Sequence, residues 1–133
     1  MPFVLDSSAV LARIAPDELL PRSITTALES EPAVVPALWL FETVNGLEIM
    51  RRRKRLDDEA LSDAVNLLLA LNVEVDSPQL ERNAGPVLAL AQDHGLTVYD
   101  AAYLELAQRR RLPLATLDDA LRKAAKKARI KLV

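Results

Sequence analysis

Apolar residues along this chain follow two rhythms. Short runs at Phe3, Val4 and Leu5, at Ala33, Val34 and Val35 between two prolines, at Val73, Glu74 and Val75, and at Pro113, Leu114 and Ala115 have the length and composition of buried strands. Longer segments carry apolar residues every three or four positions, the signature of helices packed on one side. These span residues 37–53, 58–71, 77–94 and 101–110 and a final stretch after Thr116. In residues 58–71 the apolar face is Ala60, Leu61, Ala64, Val65, Leu67, Leu68 and Leu71, and Asp57 or Asp58 supplies the cap. A shorter helix follows Asp6, Ser7 and Ser8, whose side-chain oxygens suit a helix start. Gly95 is placed to end the helix that finishes at His94, because glycine enters a left-handed turn without steric cost, and Pro86 is a point of interruption within it. Leu96, Thr97, Val98 and Tyr99 read as an apolar, strand-like lead into the next helix, and residues 130–133 as an added edge strand.

Strands alternating with helices need crossover connections, which are right-handed and lay helices over both faces of a mostly parallel sheet. The predicted fold class is therefore α/β, with residues 1–133 as one domain without repeats or linkers. Composition agrees: 133 residues, 50% hydrophobic and 27% charged, bury a core without covalent staples. The absence of cysteine removes disulfides, thiolate metal sites and a cysteine nucleophile, and fits a reducing compartment. His94 is the one histidine, so mechanisms needing two imidazoles are excluded and polar chemistry rests on carboxylates, hydroxyls, Lys and Arg. No apolar run approaches a membrane span, and Asp6 arrives too early for a secretory signal, so a cytoplasmic location is expected.

Charge is nearly balanced in total, 17 basic against 19 acidic residues, but uneven in place. Arg51, Arg52, Arg53, Lys54 and Arg55 form an unbroken basic run, and from Gln108 onward nine Lys or Arg stand against Asp118 and Asp119. This distribution allows a slightly acidic protein to present basic surface next to an acidic pocket. The alternative is solvated helix ends, where cations offset the negative end of the helix dipole.

Asp6, Asp100 and Asp118 each stand where an apolar run gives way to a helix. In a parallel sheet all three belong to the rim at the carboxyl ends of the strands, where ligands of such folds collect. Each is also a preferred helix cap, and Thr116 with Asp119 makes a capping box; capping and cation ligation are compatible. Glu42 is harder to explain structurally. Leu38, Glu42, Asn45 and Ile49 fall on one helical stripe flanked by Leu40, Phe41, Val44 and Leu47, so Glu42 and Asn45 are expected to face a partly buried site, with a buried salt bridge as the alternative. Converging carboxylates repel one another, and all-oxygen ligands select a hard ion such as Mg²⁺ or Mn²⁺. Such ions suit phosphodiester hydrolysis.

These segments resemble the PIN-domain ribonucleases, in particular VapC-type toxins of bacterial toxin–antitoxin pairs. The likeness rests on residues 3–9, on Pro36, Ala37, Leu38 and Trp39 running into Glu42 and Asn45, on residues 96–107 around Asp100, and on residues 114–118. It implies a three-layer α/β/α sandwich whose Asp6, Glu42, Asp100 and Asp118 bind Mg²⁺ or Mn²⁺ and activate water against an RNA phosphodiester. Asn45 and Thr116 match family positions and are assigned to orienting carboxylates or metal-bound water. Ser7 is a further candidate, and Asp119 is read as the acid of the capping box. The family also implies a homodimer and an antitoxin that obstructs the acidic pocket. Trp39, Tyr99 and Tyr103 are read as core before base-stacking residues. Two other functions stand beside the nuclease: a PIN fold that only binds a partner or RNA, and a phosphoacceptor domain. The second wants adjacent acids after the first strand, where this chain has Asp6, Ser7 and Ser8.

Overall fold

Phe3, Val4 and Leu5 form β1 (Phe3–Leu5), and all three side chains are buried because helices cover both faces of the strand. The computed structural model describes residues 1–15, 17–77 and 79–133. Along these the order is β1, α1 (Ser7–Ile14), α2 (Arg22–Ser30), β2 (Ala33–Pro36), α3 (Leu38–Arg52), α4 (Asp58–Ala70), β3 (Val73–Asp76), α5 (Leu80–His94), α6 (Val98–Arg110), β4 (Leu114–Ala115) and α7 (Asp119–Lys127). The sheet runs β3-β2-β1-β4 and every pairing is parallel. The fold is an α/β/α arrangement: α6 lies on β1, β2 and β4 with α5 and α7 packed on it, while α1 and α4 pack against α3.

The chain builds the sheet outward from β1 through β2 to β3, then returns to place β4 on the other side of β1. The strand order therefore reverses between β1 and β4, which is where crevices open in such sheets. Register sets what meets there. Val4 pairs with Leu114 and Leu5 with Ala115, and the Asp6 N–H continues the ladder to the Ala115 carbonyl at 3.0 Å. The next residues on each strand, Asp6 and Thr116, are thus side by side at the rim.

The main core joins the strands to Leu104, Leu106, Leu121 and Tyr103, and a second cluster of Ala15, Leu47, Met50, Leu56 and Ala64 holds α3 to α4. Each fully buried leucine contributes about 1.5–3 kcal/mol of apolar burial. Among the described residues no helix is long and apolar enough to cross a membrane.

Several local expectations are corrected. The lead at Leu96, Thr97, Val98 and Tyr99 is not a strand: Thr97 is the N-cap of α6, its Oγ1 accepts the Asp100 N–H at 3.1 Å, and Val98 and Tyr99 are exposed in the first turn. Residues 130–133 contribute one parallel bridge, Leu132 to Leu114, rather than a full strand. The Thr116–Asp119 capping box does not form, because Asp118 itself caps α7 by accepting the Leu121 N–H at 2.8 Å. The helix expected from Ser77 starts at Leu80, and Pro78 lies outside the described residues. Pro86 sits inside α5 without ending it, whereas Gly95 ends it in the left-handed conformation at φ 63°. On α3 the buried stripe is Trp39, Thr43, Leu47 and Met50, so Leu40, Phe41, Val44 and Asn45 are exposed rather than flanking a buried face. The helix α2, which buries Ile24, had not been expected.

Candidate functional site

Asp6 is 3% exposed at the end of β1 and stands at the N-cap of α1, yet its side chain caps nothing. Its Oδ2 instead accepts two hydroxyl hydrogen bonds, from Ser8 Oγ at 2.5 Å and from Thr116 Oγ1 at 2.7 Å. Ser8 Oγ in turn accepts the Leu117 N–H at 2.9 Å, and Thr116 Oγ1 accepts the Asp118 N–H at 3.1 Å. Two hydroxyls thus tie the ends of β1 and β4 together and fix Asp6 in one orientation, leaving Oδ1 unused by either. Burial pushes the Asp6 carboxyl above its ordinary pKa more than these hydrogen bonds lower it, and the charge of Asp118 adds to the rise.

Glu42 projects from the second turn of α3 and is half-buried. The hydroxyl of Tyr103, a fully buried residue of α6, donates to its Oε1 at 2.5 Å. Burial raises the Glu42 pKa against that hydrogen bond, and the charges of Asp6 and Asp100 raise it further. The Tyr103 phenol is itself pushed far above its usual value, first by burial and then by its acidic acceptor. Asp100 lies in the first turn of α6, and its pKa is raised by burial and by the charges of Asp118 and Asp6. Asp118 completes the rim with one oxygen engaged in capping α7.

The four acids are therefore brought to one place from β1, α3, α6 and the start of α7, close enough that each of Asp6, Glu42 and Asp100 feels the charge of at least one other. Among the described residues no three or more carboxylate or imidazole groups stand as a ready-made metal cage. Asn45 is exposed one turn beyond Glu42, and Asp119 is exposed in the first turn of α7. Ser7 is partly buried in the first turn of α1. Sequence reasoning passed over Ser8 and did not join Tyr103 to Glu42; the available signal was that residues 100 and 103 share a helical face.

Comparison with known proteins agrees with this architecture. The PIN domain family matches residues 3–127. Ribonuclease VapC3 of Pyrobaculum aerophilum is 34% identical over 122 residues, covering 89% of this chain and 90% of that protein. Among solved structures, PAE2754 from Pyrobaculum aerophilum superposes with a TM-score of 0.68 at 28% identity, over 93% of this chain and 79% of the other. A toxin–antitoxin complex from Klebsiella pneumoniae shares the fold, with a TM-score of 0.57 at 21% identity over 87% of this chain and 86% of its own. The chain belongs to the PIN-domain family, and within it the sequence is similar to VapC-type proteins.

Proposed function

We propose that this protein is a metal-dependent endoribonuclease, the toxin of a toxin–antitoxin pair, with residues 1–133 acting as one PIN domain and as a homodimer. The observation that carries the reading is the meeting of Asp6, Glu42, Asp100 and Asp118 at the switch point of the sheet, where burial and mutual repulsion raise the first three carboxyls. Membership of the PIN family, and identity of 34% to a relative named a ribonuclease, support hydrolysis of RNA. The occurrence of the same fold in a toxin–antitoxin complex supports an antitoxin partner.

The donor set fits a divalent ion. It is all carboxylate oxygen and stores like-charge repulsion that a cation relieves, which suits Mg²⁺, an ion that keeps several waters; Mn²⁺ accepts the same ligands. When bound, the ion supplies Lewis-acid stabilisation of the phosphodiester and activation of water. The chain's own work is positional. Ser8 and Thr116 hold Asp6, Tyr103 holds Glu42, and the α7 cap holds Asp118, so that three of the four acids present oxygens in fixed orientation, with Asp100 placed by the first turn of α6. Asn45, exposed on the Glu42 helix, and Thr116 orient carboxylates and water around them.

The test is incubation of purified, antitoxin-free protein with structured RNA, including transfer RNA, in Mg²⁺, Mn²⁺ or chelator, beside Asp100→Asn and a circular dichroism control. Discrete cleavage that needs metal and disappears in the folded variant is expected. Wild type as inert as the variant across varied RNAs would leave a binding module instead.

A further inference from the structure

The two basic segments of the sequence have different fates in the fold. Of residues 51–55, Arg51 and Arg52 are paired with Glu48 and Arg55 with Asp17 and Glu18, while Arg53 and Lys54 are exposed and, among the described residues, enter no ion pair. The C-terminal segment holds a larger unpaired group. Arg109 and Arg110 are held by acids of α6 and β3, but among the described residues Lys123, Lys126, Lys127, Arg129, Lys131 and Arg111 enter no ion pair, and all six are exposed. Leu121, Ala124 and Ala125 anchor α7 to the core, which turns Lys123, Lys126 and Lys127 outward together. The helix begins at Asp118 in the acid rim, so this cationic face runs directly away from the site. At about 1.5 Å per residue, Lys123 and Lys127 lie about 6 Å apart along the axis, a spacing that successive phosphates of an extended strand can follow.

Beyond α7 the charge continues. Arg111, Arg129 and Lys131 line one groove of about 310 Å³. Arg111 and Arg129 occupy left-handed backbone at φ 54° and 58° after the ends of α6 and α7. That conformation costs a non-glycine residue about 1 kcal/mol or more, and the end of α5 uses Gly95 for it. Lys54, beyond the end of α3, shares this conformation at φ 58°, so the left-handed backbone places cations at these helix ends without singling out the C-terminal segment. A second groove, of about 460 Å³, is lined by Lys123, Lys127 and His94 together with Asp93 and Asp119, so the lysines face acids at its α5 side and at the start of α7 and the unopposed cations lie beyond it.

We propose that the outer face of α7, continued by Arg129, Lys131 and Arg111, is the track on which the sugar–phosphate backbone of a single RNA strand lies as it leaves the acid site. The inference rests on the nuclease reading above and adds the path of the substrate. Charge-only contacts of this kind are indifferent to sequence and fall off with salt.

The experiment measures binding of a fluorescently labelled single-stranded oligoribonucleotide, in chelator, across a salt series. Lys123→Gln/Lys127→Gln is compared with Arg53→Gln/Lys54→Gln, which removes the same charge elsewhere. The α7 pair is expected to bind roughly tenfold more weakly and to lower the salt slope by about 1.4, two contacts at ~0.7 each, while the control pair matches wild type. In metal, the α7 pair raises KM and leaves kcat unchanged. Equal effects of the two pairs, no effect of the α7 pair, or no RNA binding by wild type would overturn the track. So would unchanged RNA binding with weakened binding of poly-L-glutamate, which would move the surface to an acidic polypeptide. Because binding is read without turnover, RNA bound but never cleaved sinks the nuclease reading alone, whereas cleavage indifferent to Lys123 and Lys127 sinks the track alone.

Discussion

Tyr103 donates its hydroxyl hydrogen bond to Glu42 across 61 residues of sequence, joining the buried face of α6 to the edge of α3 at 2.5 Å. The bond is charge-assisted when Glu42 is ionised, and its donor cannot swing away because the ring is fully buried. Tyr103→Phe keeps the ring and removes the donor, freeing Glu42 to change rotamer. Metal-dependent RNA cleavage is expected to fall about 10- to 100-fold with weaker Mn²⁺ binding, as measured for lost support around metal ligands. The melting temperature should change by only a few degrees. Full activity in the variant, with unchanged Mn²⁺ affinity by titration calorimetry, would show that the bond serves the core and not the site.

Repulsion within the site carries a pH signature. The carboxyls of Asp6, Glu42 and Asp100 are raised in the folded protein, so the native state binds these protons more tightly than the unfolded chain. Their contribution to stability is complete below the ordinary carboxylate range and is lost as pH rises through the raised values. Asp100→Asn removes one of the three. Without metal, the variant should exceed wild type in stability at neutral pH by up to about 1 kcal/mol, allowing for solvent screening at a partly exposed group, and by nothing below about pH 4. Added Mg²⁺ should raise the wild-type melting temperature more than that of the variant. Scanning calorimetry over this pH range decides it: a variant less stable than wild type at neutral pH removes the repulsion argument.

Thr116 bridges two acids, donating to Asp6 Oδ2 and accepting the Asp118 N–H. Thr116→Val preserves shape and deletes both bonds, leaving a buried carboxylate with Ser8 as its one remaining hydroxyl donor. A loss of about 1–3 kcal/mol in urea denaturation is expected, together with reduced cleavage, and Thr116→Ser should restore most of both. Equal stabilities for Val and Ser would mean that Asp6 finds another partner without cost.

The positions of Asp6 and Asp118 in the fold were legible because each follows a short apolar run and precedes a helix, a pattern visible in a single segment. Asp100 was legible for a less direct reason. Its preceding run is the exposed first turn of a helix capped by Thr97, and only the proximity of the acid to a helix start survived the misreading. The Glu42 stripe placed that residue at the boundary between buried and exposed surface but put Asn45 on the wrong side of it, since periodicity gives a face and not the depth at which neighbouring helices cover it. Ser8 and Tyr103 act through bonds set by the β1–β4 register and by the crossing of α3 with α6, neither of which has a local sequence signal. The basic run at residues 51–55 shows the converse: its cations are obvious in sequence, and the pairing of three of them, Arg51, Arg52 and Arg55, with Glu48, Asp17 and Glu18 depends in part on a loop folded back from before α2.

Away from the rim, the frame that carries α6 is clamped by a buried polar cluster. Glu105 accepts from Asn83 of α5 at 2.8 Å and from Arg109 Nε at 2.7 Å, and Arg109 reaches on to Asp76 at the end of β3 at 2.6 Å. Asp76 first and Glu105 second raise the Arg109 pKa, as expected of a guanidinium shared between two acids. Arg109→Leu leaves both carboxylates short of a counterion, and Glu105 is only 7% exposed, so its loss is not made good by water. The variant should lose about 3 kcal/mol in urea denaturation, and Arg109→Lys should recover little, because an ammonium cannot span the two acids as a planar fork does. Adding Glu105→Leu to Arg109→Leu should recover part of the loss by removing the stranded charge. A single variant costing under about 1 kcal/mol would show that Asn83 and Arg110 hold the acids unaided, and that α6 keeps Asp100 and Tyr103 in place through its apolar face alone.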